Sequence, residues 1–201
     1  MDELFNLLPL KISNHMSEDA IKAEQEIVQA AKRNAKAFGK LYDKYFEGIF
    51  SFVYRRTDDE DIAADLTSQT FFKALQNIKK YEFRGLPFSA WLYRIASNEV
   101  NKHYRKTDTK ALFSVEEGRV LEIMAESVEN ADEEQLQLLV KLLKELPTAM
   151  VEVLELRFFE GKSFKEIAYI LEITESGAKM RTYRAIEALK KNFKIKQQEN
   201  E

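Results

Sequence analysis

The chain has 201 residues, 45% hydrophobic and 32% charged, with six Gly, three Pro and no Cys. That is the composition of a folded soluble protein; it excludes disulfides and thiolate metal sites, and no run of 18 apolar residues is present to span a membrane. The formal net charge of −3 hides a segregation: from Thr174 to Lys196 seven basic residues stand against Glu175 and Glu187, and from Ala111 to Gln135 eight acids stand against Arg119 alone. Such segregation suits a basic working surface and an acidic spacer, and equally a solvated tail and a solvated linker.

Few breakers and many Leu, Ala, Lys and Glu favour helices throughout. The opening stretch, MDELFNLLPLKISNHM, has an apolar patch, Pro9 and early acids but no basic start, and is expected to be an N-terminal arm rather than a leader. Residues 17–38 read as a polar helix opened by Ser17. In AFGKLYDKYFEGIFSFVYRRT, Phe38, Leu41, Tyr42, Tyr45, Ile49, Phe52 and Val53 recur at steps of three and four, which predicts an amphipathic helix. The acids DDED at 58–61 open the next helix at its positive end, and Ile62, Leu66, Phe71, Phe72, Leu75 and Ile78 recur along it to about residue 80. A break, YEFRGLPF (81–88), precedes a further helix over 89–106 with its N-cap at or near Ser89.

Residues 107–132 are acidic and weakly periodic, which predicts an inter-domain linker. QLQLLVKLLKEL (135–146) ends at Pro147, and TAMVEVLELRFFEG (148–161) predicts a second helix stopped at Gly161. The expected architecture is all-α: two small helical domains joined by an acidic linker, the C-terminal one containing a helix-turn-helix.

That motif is SFKEIAYILEITESGAKMRTYR (163–184). Ser163 and Glu166 have the spacing of a capping box, and Phe164, Ile167, Ala168 and Leu171 form a stripe behind it. Ile173 plugs the turn and Thr174 is a good N-cap. On the second helix Ala178, Thr182, Ala185 and Leu189 share a face, leaving Lys179, Arg181 and Arg184 off it, as a DNA-reading helix requires. Glu172 stands where such turns usually carry Gly, and a left-handed conformation there costs about 1–2 kcal/mol. A plain helical hairpin fits the same spacing.

The front half has two further candidate surfaces. In DLTSQTFFKALQNIKKY, Asp65, Gln69 and Lys73 keep a four-residue rhythm, either a partner-binding face or a solvated one. From 83 to 106 aromatics and cations interleave (Phe83, Arg84, Phe88, Trp91, Tyr93, Arg94, His103, Tyr104, Arg105), a pattern suited to stacking on unpaired bases and tracking a phosphate backbone. Trp91, Leu92 and Ile95 read as core, whereas Arg94, Asn98, Asn101, Lys102 and Arg105 form a polar, basic stripe.

FGKLYDKYF, DLTSQTFFKAL, FSAWLYRIASNEVNKHYRK, LPTAMVEVLELRFFEGKSFKEIA and the final hairpin occur in that order. Together they resemble an alternative bacterial RNA polymerase sigma factor of the extracytoplasmic-function (ECF) type, within the sigma-70 superfamily, over residues 35–107 and 133–192. The resemblance implies a cytoplasmic bacterial protein that recognises and melts a promoter −10 element and reads a −35 element once bound to core RNA polymerase. Residues 1–34 would be an arm and a polar helix, 35–107 a region-two domain, 108–132 the acidic linker in the active-site and RNA-exit path, and 133–196 a region-four domain. Asp65, Leu66, Gln69, Phe71, Phe72 and Leu75 would dock on the β′ clamp of core polymerase, with the β flap a second contact. Arg84, Phe88, Arg94, Asn98, Asn101, Lys102 and Arg105 would engage the −10 element, and Thr174, Ser176, Lys179, Met180, Arg181 and Arg184 the −35 element, Lys179 and Arg181 foremost. An anti-sigma factor is an expected partner. Asn98-Glu99-Val100-Asn101, Glu172, Met180 and Thr182 depart from the commoner patterns, leaving the promoter sequences open.

No catalytic role, metal, cofactor or membrane insertion is expected: His15 and His103 lack paired ligands, there is no phosphate-binding Gly loop, and Asp58 and Asp59 read as helix-start acids. The competing interpretation of the residues is a stand-alone helix-turn-helix regulator with a helical sensor half.

Overall fold

The computed structural model describes residues 17–107 and 133–199. Every regular element among them is helical, and they fall into two compact units, one built on residues 17–107 and the other on most of 133–199. The expected N-terminal arm and acidic linker lie outside the described residues.

The first helix of the front unit, α1 (Glu18–Arg33), starts as its sequence dictates: the Ser17 hydroxyl accepts from the Ala20 N–H at 3.2 Å. It ends earlier than periodicity indicates. Asn34 leaves the helix at φ −141°, and its carboxamide oxygen accepts from the Lys36 N–H at 3.0 Å to open a short 3₁₀ turn, Ala35–Phe38. The side chain of Asn offers the backbone an alternative bond, and that local competition breaks the expected 17–38 helix in two. Helix α2 (Gly39–Thr57) closes on Asp58 in the left-handed region at φ 51°. The Asp59 carboxylate then caps α3 (Glu60–Asn77) by accepting from the Ile62 N–H at 2.9 Å. A 3₁₀ turn, Ile78–Lys80, leads into the loop 81–87, where Gly85 takes φ 69°.

Helix α4 (Phe88–Thr107) begins one residue before the expected cap. Ser89 is inside the first turn and 6% exposed, so it is not the N-cap. Helices α2, α3 and α4 pack on one another around Leu41, Ile49, Phe52, Ala63, Leu92, Ala96 and Val100, with α1 adding Val28 and Ala31. A Cβ on Gly48 of α2 would stand 3.2 Å from the Tyr93 hydroxyl of α4, so the two helices meet closely there. The Tyr104 hydroxyl donates to the Arg56 carbonyl at 2.7 Å, and Lys73 of α3 pairs with buried Glu99 of α4.

In the second unit α5 (Glu133–Glu145) and α6 (Thr148–Leu154) are separated at Pro147. The expected 148–161 helix does not stay α-helical: Glu155–Phe159 widen into a π turn closed by the Glu160 N–H on the Glu155 carbonyl at 3.1 Å, and Gly161 stops the chain at φ 61°. The extra residue lets Glu155, Leu156 and Arg157 all turn inward. Arg157 donates to the Lys162 carbonyl at 3.0 Å and lies 4.6 Å from the Phe164 ring, while burial pulls its pKa down from the usual guanidinium range. Helices α7 (Phe164–Leu171) and α8 (Glu175–Glu199) follow. The core joins Leu139, Leu142, Leu143 and Leu146 of α5 and Leu154 of α6 to Ile186, Leu189 and Phe193 of α8.

Candidate nucleic-acid interface

The α7–α8 hairpin is built by local chemistry. Ser163 and Glu166 form the reciprocal box: the Glu166 carboxylate accepts from the Ser163 N–H at 2.8 Å, and the Ser163 hydroxyl accepts from the Glu166 N–H at 3.2 Å. Ile167 and Ile170 are buried, with Phe164, Ala168 and Leu171 partly so. Glu172 takes the expected left-handed turn at φ 57°, and the Ile173 N–H closes on the Ala168 carbonyl at 3.0 Å. Thr174 caps α8 by accepting from the Gly177 N–H at 3.0 Å, and its hydroxyl lies 3.2 Å from that of Ser176. Thr182, standing in for a larger aliphatic residue, is fully buried; its hydroxyl donates to the Ala178 carbonyl at 2.9 Å, so no polar atom is stranded.

Burial of Ala178, Thr182, Ala185 and Leu189 turns the opposite side of α8 outward. At 100° per residue that side is centred on Ser176, Met180, Tyr183 and Arg184, all exposed. Met180 and Tyr183 are 51% and 49% exposed, which is unusual for large apolar side chains at the start of a helix. Arg181 is half-buried on the shoulder of this face. Lys179 is exposed but pairs with Glu175 at 3.0 Å and lies 5.8 Å from the Phe164 ring. Tyr183 was not singled out by sequence reasoning, although it falls one turn beyond Met180 and opposite the buried stripe.

In the front unit the loop 81–87 projects Glu82, Phe83 and Arg84 into solvent, Phe83 being 46% exposed. Phe88 requires a correction. It is 1% exposed and packs at ring distances of 5.2 Å from Tyr81 and 5.4 Å from Trp91, so it supports the loop instead of meeting a base. An apolar residue in the first turn of a helix that covers a core faces inward. Along α4, Asn98, Lys102 and Arg105 share one exposed side, with Asn101 and Arg94 half-buried beside them; Arg105 donates to the Asn101 carbonyl at 3.4 Å.

A third surface lies on α3. Asp65, Gln69 and Phe72 are exposed on one side, Phe72 at 60%. Leu66 and Phe71, expected on the same docking surface, are 5% and 3% exposed and belong to the core, while Leu75 is half-buried. Phe71 fills a groove against Tyr42 and Phe46 of α2 at ring distances of 4.8 and 6.3 Å, and Phe46, Phe50 and Tyr54 continue as a stacked row. Lys73, the third member of the four-residue rhythm, is engaged with Glu99.

Residues 41–109 match the sigma-70 region 2 family and residues 136–189 match sigma-70 region 4. The ECF RNA polymerase sigma factor BldN of Streptomyces coelicolor is 31% identical over 177 residues, covering 85% of this chain and 66% of that protein. SigW of Bacillus subtilis, also an ECF RNA polymerase sigma factor, is 30% identical over 182 residues, covering 85% of this chain and 96% of that protein. The RNA polymerase sigma factor YlaC of Bacillus subtilis is 35% identical over 161 residues, covering 76% of this chain and 90% of that protein. Two solved structures share the fold. CnrH in complex with the cytosolic domain of CnrY has a TM-score of 0.60 at 23% identity, covering 86% of this chain and 98% of that one. The sigma factor RpoE in complex with the anti-sigma factor NepR from Bartonella quintana has a TM-score of 0.59 at 22% identity, covering 80% and 98%. An all-helical chain with both sigma-70 regions in order, and relatives of this identity along most of their length, belongs to the ECF RNA polymerase sigma factors.

Proposed function

We propose that this sigma factor divides promoter recognition and polymerase docking among the three surfaces described. The exposed side of α3, with Asp65, Gln69 and Phe72 in front and Leu66, Phe71 and Leu75 behind them, docks on the β′ clamp of core RNA polymerase. The loop residue Arg84 and the α4 residues Arg94, Asn98, Asn101, Lys102 and Arg105 engage the −10 element, whose unpaired strand offers bases to stack and phosphates to track. The first turns of α8, through Ser176, Lys179, Met180, Tyr183 and Arg184, read the −35 element in the major groove. Residues 35–107 act as one functional domain and 133–196 as the other.

The observation that carries this reading is the face of α8. Its first three turns turn a mixed polar, basic and apolar surface outward, while Ala178, Thr182 and Ala185 seat the helix below. A helix packed only for stability gains nothing from exposing Met180 and Tyr183 together. The chain works without catalysis of its own, in the cytoplasm, and is restrained by an anti-sigma factor, as RpoE is joined to NepR in the structure it resembles. Among the described residues no helix is long and apolar enough to cross a membrane.

Run-off transcription with purified core polymerase on a promoter library tests the proposal. Transcripts should start from a subset of promoters sharing −10 and −35 sequences, and only when the chain is present. Specific duplex binding by the chain alone, with no promoter-dependent transcript on adding core, would instead favour the stand-alone regulator.

A further inference from the structure

Helix α1 lies before the residues matched by the region 2 family, yet it holds both ends of the loop 81–87. At the far end, Glu24 is 3% exposed and its carboxylate accepts from the Phe88 N–H at 2.6 Å. That N–H belongs to the first residue of α4, where a helix has no partner of its own. The other carboxylate oxygen accepts from Lys44 Nζ at 2.8 Å and from the Tyr45 hydroxyl. At the near end, Lys32 Nζ donates to the Tyr81 carbonyl at 2.6 Å. Glu24 and Lys32 are eight residues apart, about 12 Å along α1.

Between these two fixed points the ring of Tyr81 packs at 5.2 Å from Phe88 and 5.0 Å from Trp91. The loop therefore has a base of three aromatics, Tyr81 and Phe88 buried and Trp91 half-buried, two polar tethers from a single helix, and a tip where Phe83 and Arg84 face solvent. A loop that must present side chains to an unpaired base gains selectivity when its ends are fixed beforehand, because less ordering accompanies binding.

We propose that Glu24 and Lys32 are positioning residues for the promoter loop. Helix α1 is a brace that sets the discrimination of the −10 element without touching DNA. This rests on the reading that the loop meets the −10 element.

The test uses the full chain with core polymerase and the variants Glu24→Gln, Lys32→Met and Lys32→Arg, beside the tip variants Phe83→Ala and Arg84→Ala. Three quantities are read: affinity for core, acrylamide quenching of Trp91, the chain's one tryptophan, and open-complex rates on promoters altered only in the −10 or only in the −35 element. Glu24→Gln and Lys32→Met should leave core affinity within about twofold, raise Trp91 quenching, and lower initiation on the matched promoter about tenfold. The rate ratio between matched and altered −10 elements should fall while the −35 ratio stays fixed, and Lys32→Arg should restore both Trp91 protection and the −10 ratio. Folded variants with increased quenching and an unchanged −10 ratio overturn the brace, and so does an equal fall in both ratios, which marks general destabilisation. If Glu24→Gln does not fold, Lys32→Met, in the last turn of α1, decides alone. When the tip variants change the −10 ratio and the brace variants do not, only the brace falls. When the tip variants also leave it unchanged, the loop's assignment to the −10 element falls with it.

Discussion

Phe72→Ala separates docking from folding more cleanly than any other change on α3. Phe72 is 60% exposed, whereas its neighbour Phe71 is 3% exposed and sits in the groove formed with Tyr42 and Phe46. A Phe side chain presents about 200 Å² when fully covered, so the exposed part of Phe72 amounts to ~120 Å². Burying that area against a partner at ~25 cal/mol per Å² is worth ~3 kcal/mol, and Ala keeps part of it. Phe72→Ala should therefore weaken core binding by ~2 kcal/mol, about 30-fold in Kd. The free chain should lose only ~1 kcal/mol, because the ~80 Å² already covered is partly kept by Ala, which is also the better helix former. Phe71→Ala should do the reverse, with a loss of stability of about 3–5 kcal/mol. Urea melts of the free chain and fluorescence-anisotropy titration of labelled chain with core polymerase measure both quantities. A folded Phe72→Ala chain with core affinity within twofold of the parent would refute the docking assignment, and a stability loss matching Phe71→Ala would refute the burial argument.

Ser163→Ala removes the hydroxyl that accepts from the Glu166 N–H and should destabilise α7 by ~1 kcal/mol, read as faster amide exchange at Glu166 and Ile167. Because Met180 and Tyr183 lie at the centre of the outward face of α8 and Arg181 on its shoulder, Met180→Ala and Tyr183→Ala should change the −35 preference selected from a randomised library more than Arg181→Ala does. A good base contact is worth ~1–3 kcal/mol of discrimination, so a lost one is visible in such a selection. Burial first, then the hydrogen bond it donates to Glu24 and the charge of that carboxylate, push the Tyr45 hydroxyl above its ordinary pKa of 10.0. The unfolded phenol ionises first, so the unfolded state binds fewer protons above pH 10 and stability falls as pH rises there. The slope from this group is at most ~1.4 kcal/mol per pH unit, and Tyr45→Phe should remove it from urea melts taken above pH 10 while leaving the pH 7–9 range flat.

What the sequence makes legible is the chemistry whose partners are close along the chain. Ser163 and Glu166, Thr174 and Gly177, and the left-handed Glu172 all act within one turn, and each takes the conformation that spacing predicts. The buried stripe of α8, and that of α2 apart from the exposed Tyr42, follow from periodicity for the same reason. Depth is less legible. Leu66, Phe71 and Phe72 stand on one apolar rhythm, and periodicity does not say which of two adjacent phenylalanines lies under a neighbouring helix; Tyr42 and Phe46 decide it. Helix ends set by distant partners are not legible at all. Ser89 has the residue type of a cap, yet the Phe88 N–H is taken by Glu24, 64 positions earlier in the chain, and within α1 Glu24 reads as one acid among several.

The two surfaces proposed to meet the promoter therefore differ in what holds them. The start of α8 is fixed by its own Thr174 cap and by buried Ala178 and Thr182 directly beneath the reading face. The −35 preference should therefore follow chiefly from substitutions within α8 itself. The loop 81–87 has a left-handed Gly85, two well-buried side chains in Tyr81 and Leu86, and ends tethered by residues of another helix. Its geometry depends on groups that a local reading would never include. If the brace holds as proposed, selectivity for the −10 element is open to substitutions in α1 that leave every residue assigned to DNA intact. On that proposal the two recognition steps change independently, one through the residues assigned to DNA contact and the other through residues of α1 that make none.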